Sequence, residues 1–77
     1  MIRTRPPATF HGWLVRQRRR QDAVGRLARE ARRDSSWPRR GRRLWTFDHH
    51  LVEVGAVEAV REALLGAWAE FERDRAT

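Results

Sequence analysis

The chain has no cysteine, no lysine and no tyrosine. Without cysteine there can be no disulfide, no thiolate metal site and no thiol nucleophile. That usage fits a reducing cytoplasm, which is the expected location. No apolar run approaches the ~20 residues of a membrane span, so no membrane partner is expected. The opening segment, Met1-Ile2-Arg3-Thr4-Arg5-Pro6-Pro7, is basic and lacks the apolar stretch of a secretory signal. No alternating strand pattern and no internal repeat is present. A glycine-rich phosphate loop is also missing, and Ser35 and Ser36 have no plausible base beside them. No enzyme and no cofactor is therefore expected. Asp48-His49-His50 is the one candidate for a metal. Adjacent histidines project about 100° apart on a helix and cannot easily face one ion, so no metal site is expected. His50, on an apolar face, reads instead as a buried or rim histidine with a hydrogen-bond partner.

What the chain has in excess is arginine. All seventeen basic residues are arginine, against ten acids, in 77 residues. A GC-rich coding sequence would also exclude lysine, so the count alone carries no function. The distribution is more telling. Residues 1–45 hold fourteen arginines and three acids, 14 − 3 = +11, and residues 46–77 hold three and seven, 3 − 7 = −4. A basic half of this density suits a polyanion or an acidic protein surface.

Seventy-seven residues make one domain with a small core and a stability near the low end, roughly 5 kcal/mol. The longest amphipathic stretch is residues 56–73. Val57, Val60, Leu64, Ala67, Trp68 and Phe71 recur three or four apart and form one stripe, with Glu58, Glu62, Glu70 and Arg73 elsewhere. Shorter helices are expected to pack against it. Leu65, about 100° off the stripe, is expected to be more exposed than Leu64.

Three such helices precede it. Residues 1–8, with Pro6-Pro7, read as a flexible basic arm, and 9–75 as the single helical domain. Thr9 is the expected N-cap of a helix over about 10–19, with Phe10, Trp13, Leu14 and Gln17 on one face. Gly12 would permit a close backbone approach there. Asp22 caps a second helix, 23–34, whose inner face is Val24, Leu27, Ala28 and Ala31. Arg26, Arg29 and Arg33 would form an exposed stripe opposite. Pro38 ends that helix, and Trp37 is expected to plug the core. Arg39-Arg40-Gly41-Arg42-Arg43 has no periodicity and reads as a solvated loop, after which Leu44 and Trp45 return to the core. Thr46 is the expected cap of a third helix, 47–54, with Phe47, His50, Leu51 and Val54 sharing a face. Gly55 supplies its stop. The result is an all-α bundle of four or five short helices.

Several of these residues carry a family resemblance. Thr9-Phe10 with Trp13-Leu14, the Asp22 cap before Leu27-Ala28, Asp34-x-x-Trp37-Pro38, and Ala67-Trp68 with Phe71 span roughly 9–73. In these the chain resembles the YozE-like small bacterial proteins, whose fold is similar to the sterile alpha motif (SAM). The resemblance implies a SAM-like bundle and a bacterial source. It implies little about activity. The very basic 39–43 loop departs from the family's more neutral or acidic pattern.

Two functions of different class follow. The first is DNA or RNA binding through arginines that could join into one basic surface: Arg18, Arg19, Arg20, Arg26, Arg29, Arg33, Arg39, Arg40, Arg42 and Arg43. Arginine binds phosphate bidentately and stacks on bases. The second is a protein-interaction module. There a basic patch meets an acidic surface, either of a partner or of another copy.

Overall fold

The computed structural model describes residues 9–76; the N-terminal arm at 1–8 lies outside the described residues. Four helices follow in order: α1 (Phe10–Val15), α2 (Ala23–Arg33), α3 (Leu44–Glu53) and α4 (Glu58–Ala76). Among the described residues there is no strand, and no helix is long and apolar enough to cross a membrane. The long α4 packs against each of the other three helices, as its single apolar stripe requires.

Two helix starts follow directly from capping chemistry. The Thr9 hydroxyl accepts from the Gly12 amide at 3.1 Å, and the Asp22 carboxylate accepts from the Gly25 amide at 3.0 Å. The end of α3 is equally legible. Gly55 adopts φ 74°, the Ala56 amide reaches back to the Leu51 carbonyl, and the Gly55 amide donates to Val52. This is the six-to-one and five-to-two bonding of a Schellman stop.

The core is one cluster. Phe10, Trp13, Leu14, Leu27, Ala28, Ala31, Trp37, Phe47, Leu51, Leu64, Ala67 and Phe71 are all buried. Phe10 is its hub, with ring centroids 4.9 Å from Phe47, 5.0 Å from Trp68 and 5.5 Å from Phe71. Trp68 is only partly buried and packs against this cluster from its edge, so it is less central than its place in the stripe suggests. Leu64 is fully buried and Leu65 is 53% exposed, which fixes the phase of α4. The Trp13 indole N–H donates to Asp74 at 2.7 Å and ties the end of α4 to α1.

Several boundaries differ from those the sequence suggests. Helix α1 ends at Val15, not near 19. Beyond it the amides of Arg16, Gln17 and Arg18 bond three residues back, so the chain tightens into turns. Helix α3 begins at Leu44, so Thr46 lies inside it, and the capping position falls to Arg43 with no side-chain cap. That start places Leu44, Phe47 and Leu51 inward and turns Trp45 outward, 65% exposed, instead of into the core. Val54 and Val57 fall in the α3–α4 connection, outside both helices, and are exposed.

Candidate functional site

The arginines divide into two kinds. Around the turn between α1 and α2, three of them are bonded to the protein itself. The Arg20 guanidinium reaches Asp22 at 2.6 Å and Glu70 of α4 at 2.8 Å. These two carboxylates stabilise its charged form further. Arg29, half-buried, donates from one nitrogen to the carbonyls of Arg18 and Arg20 at 2.7 and 3.0 Å. Those carbonyls have left the helical ladder, and Arg29 satisfies them. The Arg18 guanidinium donates to the Val15 carbonyl. Gly25 completes the arrangement: a Cβ there would lie 2.0 Å from the Arg20 carbonyl oxygen. The close backbone approach thus occurs at Gly25, on α2.

The second kind lies in the connection from α2 to α3. At its start the Asp34 carboxylate accepts from the Ser36 hydroxyl at 2.6 Å and amide at 2.9 Å, and meets His50 Nε2 at 2.6 Å. The Ser36 hydroxyl first, then His50, hold the Asp34 pKa down at about 2. His50 is therefore the partnered rim histidine that its place on the helix suggests. Trp37 plugs the core beside it, 4% exposed, with its ring against Phe47 and His50. The Arg39 amide donates to Trp37 and the Gly41 amide to Pro38, which folds the backbone into a turn. Gly41 presses onto α3, where a Cβ would meet Phe47 at 2.9 Å. The segment is solvated in its side chains but docked in its backbone.

Its four arginines point outward. Arg39, Arg40, Arg42 and Arg43 are exposed, and none makes a side-chain hydrogen bond or ion pair with a described residue. Burial first, and the Arg39 charge second, lower the pKa of His11 on α1. Arg42 and Arg43 border an open depression of about 620 Å³ whose walls include Trp45, Leu65, Trp68 and Arg61. A smaller one, about 220 Å³, adjoins it and shares Arg42 and Trp68, with Arg75 at its far end. Together they make a shallow furrow across the α3 start and α4, lined by guanidinium groups and aromatic rings. Arg61 is held by Asp48 through two bonds of 2.9 Å, which lowers the Asp48 pKa.

The ten arginines singled out in the sequence therefore do not act alike. Arg18, Arg20 and Arg29, and at the surface Arg33, have intramolecular partners. Arg26, Arg29 and Arg33 are not one free stripe, because Arg29 turns into the α1–α2 turn; Arg33 lies exposed, 3.8 Å from Glu30. Arg26 and Arg33 instead edge a second, apolar groove of about 540 Å³, between α2 and the α3–α4 connection. Arg19 is exposed, with no side-chain partner among the described residues. Sequence reasoning missed the furrow's aromatic side. Its one available signal was the register of α3: starting that helix at Leu44 puts Trp45 opposite Phe47. Among the described residues no cluster of three or more metal-ligating side chains occurs.

The profile of the YozE SAM-like fold matches residues 9–73, which is most of the chain, and the protein belongs to this family. No curated protein and no solved structure matches it.

Proposed function

We propose that this protein is a non-enzymatic cytoplasmic module that binds nucleic acid through its phosphate backbone. One observation carries the reading: the acids are mostly used internally, and the loop arginines are not. Among the described acids Glu58 and Glu62 have no side-chain hydrogen bond or ion pair, and Glu53 faces only His49, at 3.3 Å, an ion pair when that histidine is protonated. Arg39, Arg40, Arg42 and Arg43 have none either, and they sit on a backbone that α3 holds in place. Four exposed, unneutralised guanidinium groups on a docked backbone favour phosphate oxygens and carry no base information.

Binding is expected to be modest, sequence-tolerant and strongly salt-dependent. With about four phosphates engaged, one per loop arginine, log K against log salt on duplex DNA should have a slope of about −4. Anisotropy titrations of labelled duplex and single strands at several salt concentrations measure this. Arg42→Glu with Arg43→Glu should weaken every sequence alike. No binding to either form at low salt, with the protein folded by circular dichroism, would end the reading.

A second reading has its own observation. The apolar groove edged by Arg26 and Arg33 ends at Val54 and Val57, which are 55% and 66% exposed. With the free acids Glu58 and Glu62 close by in sequence, that surface suits a protein contact, including another copy. Glu58→Arg with Glu62→Arg should then impair concentration-dependent assembly in sedimentation and leave nucleic-acid binding intact or slightly stronger.

A further inference from the structure

The four tryptophans are not placed alike. Trp13 and Trp37 are buried at 3% and 4% exposure, and Trp68 packs against the core. Trp45 is 65% exposed, in the first turn of α3. A tryptophan left in water forgoes one of the largest apolar gains available to a side chain. No ring contact, hydrogen bond or cation–π partner within the described chain compensates Trp45. It is not an isolated apolar residue: Leu65, 53% exposed, and Trp68 line the same depression. Arg42 and Arg43, the two loop arginines nearest in sequence, border that depression as well.

We infer that Trp45 is a base-stacking platform and that the furrow takes single-stranded nucleic acid in preference to duplex. This rests on the phosphate-binding reading above and adds what that reading lacks, a contact to the bases. Guanidinium groups beside an open aromatic face reproduce the two elements that single-strand binders combine: a cationic track for the backbone and π-faces for successive bases. In a duplex the base faces are already occupied by their neighbours, and only the edges are accessible. A tryptophan exposed at a helix start, lining the same depression as Leu65, offers a face and no hydrogen-bonding fork for edges. The chemistry suits any base, so pyrimidine or purine choice should be weak.

The probes are a fluorescein-labelled oligothymidylate of about twelve nucleotides, an abasic strand of the same length, and a duplex. The abasic strand keeps the phosphates and lacks the bases. Trp45→Ala should weaken oligothymidylate binding by about tenfold or more and leave abasic and duplex affinities unchanged. Trp45→Phe should retain most of the affinity. Tryptophan emission of the native protein should quench as oligothymidylate binds, and at saturating strand that quenching should be much smaller in Trp45→Ala, where of the tryptophans Trp68 alone lines the furrow. Circular dichroism should show no change in helicity, because the side chain is outside the core. Equal losses on the abasic strand, or no loss on oligothymidylate, would overturn the stacking role and leave the phosphate reading standing. Self-association abolished by Trp45→Ala with strand affinity unchanged would assign the residue to a protein contact and overturn it equally. Failure of the native protein to bind any of the three probes would remove the phosphate reading and this inference together.

Discussion

Arg18–Arg20 and Arg39–Arg43 are two arginine-rich stretches that look alike as letters and behave differently as structure. In the α1–α2 turn, guanidinium groups close the fold: Arg20 bridges Asp22 and Glu70, and Arg29 takes two orphan carbonyls. In the α2–α3 connection the backbone is fixed by Trp37 and Gly41, and four guanidinium groups are left without a partner. Charge density is therefore a poor guide to a binding surface. Which arginines are available depends on where the acids and orphan carbonyls fall, and that is settled by the packing of α2 on α4.

The sharpest way to test the contrast is to damage the first region alone. Gly25→Ala puts a methyl 2.0 Å from a main-chain oxygen that Arg29 and the turn hold in place. It should cost about 3 kcal/mol, the upper end of overpacking penalties. Against a total of roughly 5 kcal/mol the midpoint of chemical denaturation should fall by more than half. A Gly25→Ala protein as stable as the native one would mean that the turn is not packed against α2 as described. Arg29→Ala should have the next largest effect, roughly 1.5–3 kcal/mol, because a charged donor leaves two carbonyls unsatisfied. Compared at a temperature where both proteins are folded, its nucleic-acid affinity should match the native value. A large loss of affinity in a folded Arg29→Ala protein would erase the distinction between the two regions.

Much of the fold was legible because local chemistry and periodicity agree. Thr9, Asp22 and Gly55 each occupy the cap that their side chain or backbone freedom suits. The inner faces of α2 and α4 follow a 3.6-residue period, down to the contrast between Leu64 and Leu65. The candidate site was less legible, for two physical reasons. Helix starts without a side-chain cap leave no mark, so beginning α3 at Phe47, with Thr46 as its cap, instead of at Leu44 hid the outward face of Trp45. Salt bridges such as Arg20–Glu70 join residues fifty positions apart, and no local pattern encodes them. Gly41, in the midst of the arginines, was the one local hint that the loop backbone meets another surface.

A smaller effect should appear at the start of the α2–α3 connection on acidification. The folded-state pKa of Asp34 is about 2, below the ordinary carboxylate value. A depressed carboxylate contributes stability that is fully present above its unfolded pKa, near 4, and is lost as pH falls toward 2. Asp22 and Asp48 are shifted the same way by Arg20 and Arg61, so the native protein should lose stability across that window from several sites. Asp34→Asn removes one titration. Its melting temperature should be lower than native at neutral pH and should approach the native value below about pH 3. Parallel curves over the whole range would show that the Asp34–His50 contact contributes no pH-dependent stability.

The smallest expected stability change belongs to the loop itself, and it is the most informative of the set. Arg42→Gln with Arg43→Gln removes two charges from side chains that touch no described acid. Surface changes of this sort stay within about 0.5 kcal/mol. Removing two unneutralised like charges should, if anything, slightly raise the denaturation midpoint by relieving repulsion with Arg39 and Arg40. Glutamine also keeps the length and hydrogen-bonding capacity of the side chain, so any change in binding reports charge. If each arginine meets one phosphate, the magnitude of the duplex salt slope should fall by about 2. The equivalent change in the turn, Arg20→Gln, should do the opposite. It breaks the bridge between α2 and α4, lowers stability and leaves the slope as it was. A double-glutamine loop protein that is destabilised, or whose salt slope is unchanged, would place these arginines with Arg20 and Arg29 and leave the furrow without its cations.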